Sequence, residues 1–153
     1  MINNMEMKDR IKTLGLVAVM ASVMGACTLE TSGNGDLDGF WHLVAVDTVD
    51  TGGVLNLSDE RLFWSFQGNL LSHRDADGRC DELISYFERS GDSLFVTRTF
   101  FYDRPNSDPA VEDVGVLRPY GINKLGEHFY VQHLDGGTMI LLSDKLRLYL
   151  KKM

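Results

Sequence analysis

The sequence predicts an all-β protein, about eight antiparallel strands joined in up-and-down order and closing into a barrel. Three observations lead there. Apolar and polar residues alternate with period two in short runs from Phe40 onward. Glycine- and aspartate-rich turn signals separate the runs. No stretch of this region carries a convincing helical period. Eight hairpin-linked strands in an open sheet would leave two long edges ready to pair with other chains, and closure removes them.

The first strand is expected at residues 40–49 (FWHLVAVDTV), stopped by Gly52-Gly53. Residues 61–67 (RLFWSFQ) and 69–74 (NLLSHR) flank Gly68 as a tight hairpin. Asp75-Ala76-Asp77-Gly78 then turns the chain into 82–89 (ELISYFER), and Ser90-Gly91-Asp92 turns it into 93–102 (SLFVTRTFFY). Three more strands follow at 127–134, 138–142 and 145–151, joined by Asp135-Gly136-Gly137 and Ser143-Asp144. The last shows the alternation best, with Leu146, Leu148 and Leu150 to one side and Arg147, Tyr149 and Lys151 to the other. Residues 101–126, holding Pro105, Pro109 and Pro119, are expected as a long irregular connection. Connections of that length act as lids or binding loops, or are plain excursions between strands.

Ahead of the barrel lies a different kind of segment. Lys8, Arg10 and Lys12 precede an apolar run from Leu14 to Val23, which ends in Met24-Gly25-Ala26-Cys27. A basic start, a short hydrophobic core and two small residues before a cysteine have the form of a bacterial lipoprotein signal. The apolar run is far short of the ~20 residues that span a bilayer. Residues 1–26 are therefore expected as a cleaved signal, Cys27 as the multiply acylated first residue of the mature chain, 27–38 as a flexible tether and 39–153 as the barrel. Thr28 follows the cysteine in place of an inner-membrane retention aspartate, so the outer membrane is the expected location, with the membrane itself as the lipid-held partner.

Charge narrows the partners further. Residues 1–26 hold three of the 15 basic and two of the 22 acidic side chains, which leaves the remainder at −8. That balance argues against nucleic acid and against direct docking on anionic headgroups. Cys80 has no partner if Cys27 is acylated, and its acidic neighbours make it a passive thiol; were Cys27 free, a Cys27–Cys80 bridge would become possible. The four histidines, His42, His73, His128 and His133, show no metal-ligand spacing, and strict alternation puts His128 and His133 on opposite faces. Asp75, Asp77, Asp81 and Glu82 crowd one connection without the register of a calcium loop. No metal, no cofactor and no catalytic residue is expected, because nucleophile-elbow, phosphate-loop and metalloprotease patterns are all missing. If the barrel holds a cavity, its lining is expected from Trp64, Phe66, Phe87, Phe100 and Phe129. Arg98 interrupts the alternation Leu94, Val96, Arg98, Phe100 and is expected there as a ligand anchor or as a structural ion-pair or edge residue.

Gly39-Phe40-Trp41 opens the first strand, and with the strand count it resembles the start of the lipocalin-like small barrels. Pro119-Tyr120-Gly121-Ile122, Phe129-x-Val131 and Thr138-Met139-Ile140-Leu141-x-Ser143-Asp144 are similar to the ending of the lipocalin-like lipoproteins of Bacteroidetes. The resemblance implies that Trp41 plugs one end of the barrel and that Arg147 or Lys151 packs over it as a cation–π cover. It brings no known activity. Small envelope barrels of the META and lysozyme-inhibitor types also open on Gly-x-Trp, but their cysteine signatures are missing here. Two functions follow as expectations. One is a lipid-anchored envelope lipoprotein whose barrel binds a small apolar or amphipathic ligand. The other is a non-catalytic interaction or structural module, its barrel filled and its loops contacting an envelope protein.

Overall fold

The computed structural model describes residues 33–153, so the expected signal and Cys27 lie outside the described residues. The strands are β1 (Gly39–Thr48), β2 (Val54–Asn56), β3 (Leu62–Gln67), β4 (Leu70–Asp75), β5 (Leu83–Ser90), β6 (Ser93–Phe101), β7 (Glu127–Leu134), β8 (Thr138–Leu142) and β9 (Leu146–Lys152). Neighbours follow chain order from β3 to β9, and β9 returns to β1, from Leu146 opposite Thr48 to Lys152 opposite Trp41. The result is the closed eight-stranded antiparallel barrel that the alternation predicts. β2 is an addition. Along one side of β1, residues Gly39 to His42 pair with β3, whereas Ala45 to Asp47 pair with β2. All three residues of β2 are exposed, so it flares from the rim instead of joining the core. Among the described residues no helix is long and apolar enough to cross a membrane.

Period two turns every second side chain inward. Trp41 and Leu43 from β1, Trp64 and Phe66 from β3, Leu71 from β4, Leu83 and Phe87 from β5 meet Leu94 and Val96 from β6. Phe129, Met139, Leu141, Leu148 and Leu150 complete the ring from β7 to β9. Three β-bulges break the alternation, each an extra residue in one strand: Val44 in β1, the Thr97–Arg98 step of β6 opposite Tyr86, and Gln132 in β7. The third one corrects the reading of the histidines, because His128 and His133 both end up exposed on the outside.

At one end the barrel is sealed by the segment before β1. Residues 34–38 were expected within the tether, but they are packed: a 3-10 helix, Gly35–Leu37, buries Leu37 completely, and the Trp41 Nε1–H donates to the Leu37 carbonyl at 2.8 Å. Trp41 is the plug, yet its cover is neither Arg147 nor Lys151. Lys152 lies above the ring at 5.0 Å and donates to the Asp36 carbonyl at 2.8 Å. Parity is the reason. Lys152 shares the inward face with Leu148 and Leu150, while Lys151 is exposed and Arg147 donates to Gln132 at 2.9 Å on the outer face. The cation–π contact is worth about 0.5–2 kcal/mol.

Gly39 explains the first half of the Gly-x-Trp pattern. Its φ is +121°, and a Cβ there would stand 2.8 Å from the Lys152 Cε. The lysine stem can shift, but the backbone conformation cannot be taken by alanine without strain of about 1–3 kcal/mol. Gly39→Ala is therefore expected to lower the unfolding free energy by that amount in urea titrations. A loss within error of zero would show that the pattern has no conformational origin.

The opposite end is closed by the long connection, which is more ordered than its prolines predict. A 3-10 helix, Val114–Tyr120, crosses the mouth with Pro119 inside it and Leu117 and Tyr120 buried beneath. Asp113 caps its start by accepting from the Gly115 N–H at 2.8 Å. Gly121 ends it at φ +81°, where a Cβ would lie 2.6 Å from a methyl of Leu148. Only glycine seats the helix this close to β9.

Candidate functional site

The aromatic residues expected around a cavity fill the barrel instead. Trp64 sits at the centre, its ring 5.8 Å from Phe129 and 6.1 Å from Phe66, with Phe87 edge-on to Phe66 at 5.1 Å. All four are buried. These offset and edge-to-face pairs are the arrangements that ring quadrupoles favour. From above, the mouth helix closes the space: the Trp64 Nε1–H donates to the Tyr120 carbonyl at 3.2 Å, and the Tyr120 hydroxyl donates to the Asp81 carbonyl at 2.7 Å. Burial pushes the Tyr120 phenol up, so it stays a neutral donor.

One polar chain runs through this core. His73 is buried against Trp64 and Tyr120, its Nε2 is 3.0 Å from the Ser85 Oγ, and that oxygen is 2.7 Å from the Thr99 Oγ1. Sequence reasoning noted only that His73 lacks metal-ligand spacing, although it shares parity with Leu71 on β4. Ser85 beside His73 is a nucleophile–base contact in outline only. Nδ1 of the histidine has no hydrogen-bond partner, so no carboxylate orients it. Burial also holds the imidazole down to about 3.

Arg98 does not reach this interior. The bulge at Thr97–Arg98 leaves both residues exposed and restores the inward phase only at Thr99. The guanidinium lies over the outward ring of Tyr86 at 5.7 Å. Phe100 is half-buried on the same outer wall, between a hollow of about 230 Å³ beside Arg98 and another of about 260 Å³ beside Tyr86 and Arg104.

A different cavity, missed by sequence reasoning, lies at the rim of the end that the mouth helix closes. β2, the start of β9 and the end of the mouth helix enclose a cleft of about 470 Å³. Val46, Leu55, Leu57, Leu62, Leu146 and Pro119 give it an aliphatic wall, Cys80 lies along it, and Arg79, Arg118 and Glu60 stand at it. Its volume falls in the range of small-molecule sites. The β4–β5 connection builds one side. The Asp75 carboxylate accepts from the N–H groups of Asp77 at 2.9 Å, Arg79 at 2.9 Å and Cys80 at 3.2 Å. Burial works against the charge of Asp75, but these donors and the Arg79 guanidinium outweigh it and hold the carboxyl below its ordinary range. Arg79 also pairs with Glu60 and, at 3.3 Å, with Asp77. Burial first, and the Asp75 charge second, push the Cys80 thiol up, which fits a passive thiol.

The acidic connection is thus committed to shaping its own loop. Among the described residues no group of three or more His, Cys, Asp or Glu side chains is arranged to hold a metal ion. His128 stacks on Phe95 at 4.5 Å, His133 pairs with Asp135 at 2.9 Å, and the His42 Nε2 meets the Glu60 carbonyl. What the site offers is a concave apolar surface with fixed charges at its edge, suited to binding.

A closed antiparallel barrel plugged by a Gly-x-Trp start and its terminal lysine defines the lipocalin-like class of small barrels. The chain belongs to the lipocalin-like domain family, whose model matches residues 21–153. It is similar to the crystal structure of a lipocalin-like protein from Bacteroides uniformis, with a TM-score of 0.60 and 19% identity over 78% of this chain and 100% of that one. A second similar structure, an uncharacterized protein from Bacteroides eggerthii, gives a TM-score of 0.58 and 17% identity over 76% of this chain and 99% of that one. No curated protein matches. At these identities the likeness concerns the fold.

Proposed function

We propose that this chain is a lipid-anchored lipoprotein of the cell envelope, held in the outer membrane through acylated Cys27, whose barrel binds a small amphipathic molecule in the cleft at its mouth. The anchor rests on the Met24-Gly25-Ala26-Cys27 pattern behind its basic start and short apolar core. The binding reading rests on one observation, the aliphatic cleft of about 470 Å³ beside an interior that is already full. An apolar surface of this kind left open to water at the mouth gains free energy when a ligand covers it. The reading is non-catalytic, in keeping with a cleft built of an aliphatic wall with charges at its edge.

The outer wall favours a second reading. Tyr86 and Tyr102 are 38% and 48% exposed beside half-buried Phe100, and a filled barrel presenting such a wall fits a module that docks an envelope protein.

Native mass spectrometry of the protein purified from its own host separates the two. A co-purifying molecule of discrete mass, lost when Leu57 is replaced by Asp in the cleft wall, is the expected result for the binding protein. A clean apo mass together with an intact complex that dissociates on Phe100→Ser would assign the partner-docking function instead.

A further inference from the structure

We propose that the ligand of the mouth cleft is an anionic amphiphile, an aliphatic chain carrying one carboxylate, and that Arg118 receives its charge. This rests on the ligand-binding reading above and names its ligand class.

The wall comes first. Val46, Leu55, Leu57, Leu62 and Leu146 offer branched aliphatic contacts and no aromatic ring, a surface that suits a flexible chain better than a flat one. Two cations stand at the cleft, and they are not equivalent. Arg79 is already spent, with Glu60, Asp77 and the buried Asp75 carboxylate on its guanidinium. Arg118 is exposed, and among the described residues it makes no ion pair, side-chain hydrogen bond or ring contact. A cation left free on a chain of net charge −7 is a local exception to the surrounding field, which is screened beyond about 8 Å in physiological salt.

The backbone beside it is anchored on the core. Tyr120, two residues on, is fully buried with its carbonyl held by Trp64, and Gly121 is pressed against Leu148. A charge presented from a fixed platform loses less entropy on engaging a ligand. A guanidinium also matches a carboxylate with two parallel hydrogen bonds.

The test compares decanoate with 1-decanol, one aliphatic chain with and without the charge. The full chain carrying Cys27→Ser keeps Cys80 as its sole thiol, so slowed alkylation of Cys80 at mildly alkaline pH reports occupancy of the cleft, and calorimetry at low salt gives affinity. Both compounds are expected to protect Cys80, with decanoate bound about tenfold more tightly, the size expected of a charge-assisted hydrogen bond. Arg118→Gln should erase the difference and leave decanol binding unchanged, and Arg118→Lys should restore part of it. Equal binding of the two compounds by the parent chain would overturn the anionic ligand while leaving the cleft a binding site. A preference for decanoate that survives Arg118→Gln would overturn the role of Arg118. Failure of both compounds to bind and to protect would overturn the ligand-binding reading and this inference with it. Protection that grows with protein concentration alone would assign the cleft to a second copy of the chain.

Discussion

Trp64→Ala is expected to cost about 3–5 kcal/mol of unfolding free energy, the range for deleting a large buried aromatic. Total stabilities of such domains are about 5–15 kcal/mol, so the variant would stand close to the threshold of folding. Two losses combine at this position. The ring leaves a void between Phe66, Phe129 and His73, which side chains fixed on a closed barrel cannot collapse to fill. The buried Tyr120 carbonyl also loses its indole donor. Urea unfolding at neutral pH measures the sum, and a loss below about 1.5 kcal/mol would show that the centre of the barrel is not close-packed. The variant has a second readout. Voids walled largely by rings and aliphatic side chains take up benzene, so Trp64→Ala should gain binding of small arenes that the parent barrel lacks. The filled interior and the open mouth cleft would then be distinguished within one molecule.

The contrast with a hollow barrel also bears on what could be read from residues alone. The strands were legible, because alternation and turn signals are local and the eight that close the barrel lie close to their expected places. β2 was not, since Val54-Leu55-Asn56 is too short to show a period and is held only by pairing with β1. The mouth helix was hidden by Pro119, which reads as a breaker although its fixed φ suits a short 3-10 turn. Arg98 went to the wrong side because one extra residue in β6 inverts every later parity. Lys152 is the opposite case: counting by two from Leu148 through Leu150 reaches it, and the expectation of Arg147 or Lys151 ignored that count. The cleft itself had no local signal. Its wall gathers residues from Val46 to Leu146, and only closure of β9 on β1 brings them together.

His73 makes the barrel sensitive to acid, and the sign follows from its burial. In the unfolded chain the imidazole titrates near 6.5; in the folded barrel desolvation holds it down to about 3. Below pH 6.5 the unfolded state therefore binds a proton that the folded state refuses. The contribution of the neutral imidazole is fully present above pH 6.5 and is lost as the pH falls toward 3, at about 1.4 kcal/mol per pH unit. Across that window the loss is roughly 5 kcal/mol, as large as the Trp64 effect. Asp75 also titrates low in the folded state and weakens the fold in acid with the same sign, so the slope of the parent protein alone is not diagnostic. The difference between parent and His73→Phe is. The phenyl ring can keep the contacts with Trp64 and Tyr120, gives up the hydrogen bond with Ser85, and cannot take up a proton. Unfolding free energies from pH 7 to pH 4 should thus fall more steeply for the parent, by about 1.4 kcal/mol per unit below pH 6.5. Parallel curves would mean that His73 charges in the folded barrel, and hence that water or a ligand group reaches its free Nδ1. A buried histidine with one nitrogen unpartnered is tolerable in a packed core only while it stays neutral, which is why the chain His73–Ser85–Thr99 places hydroxyls and no carboxylate beside it.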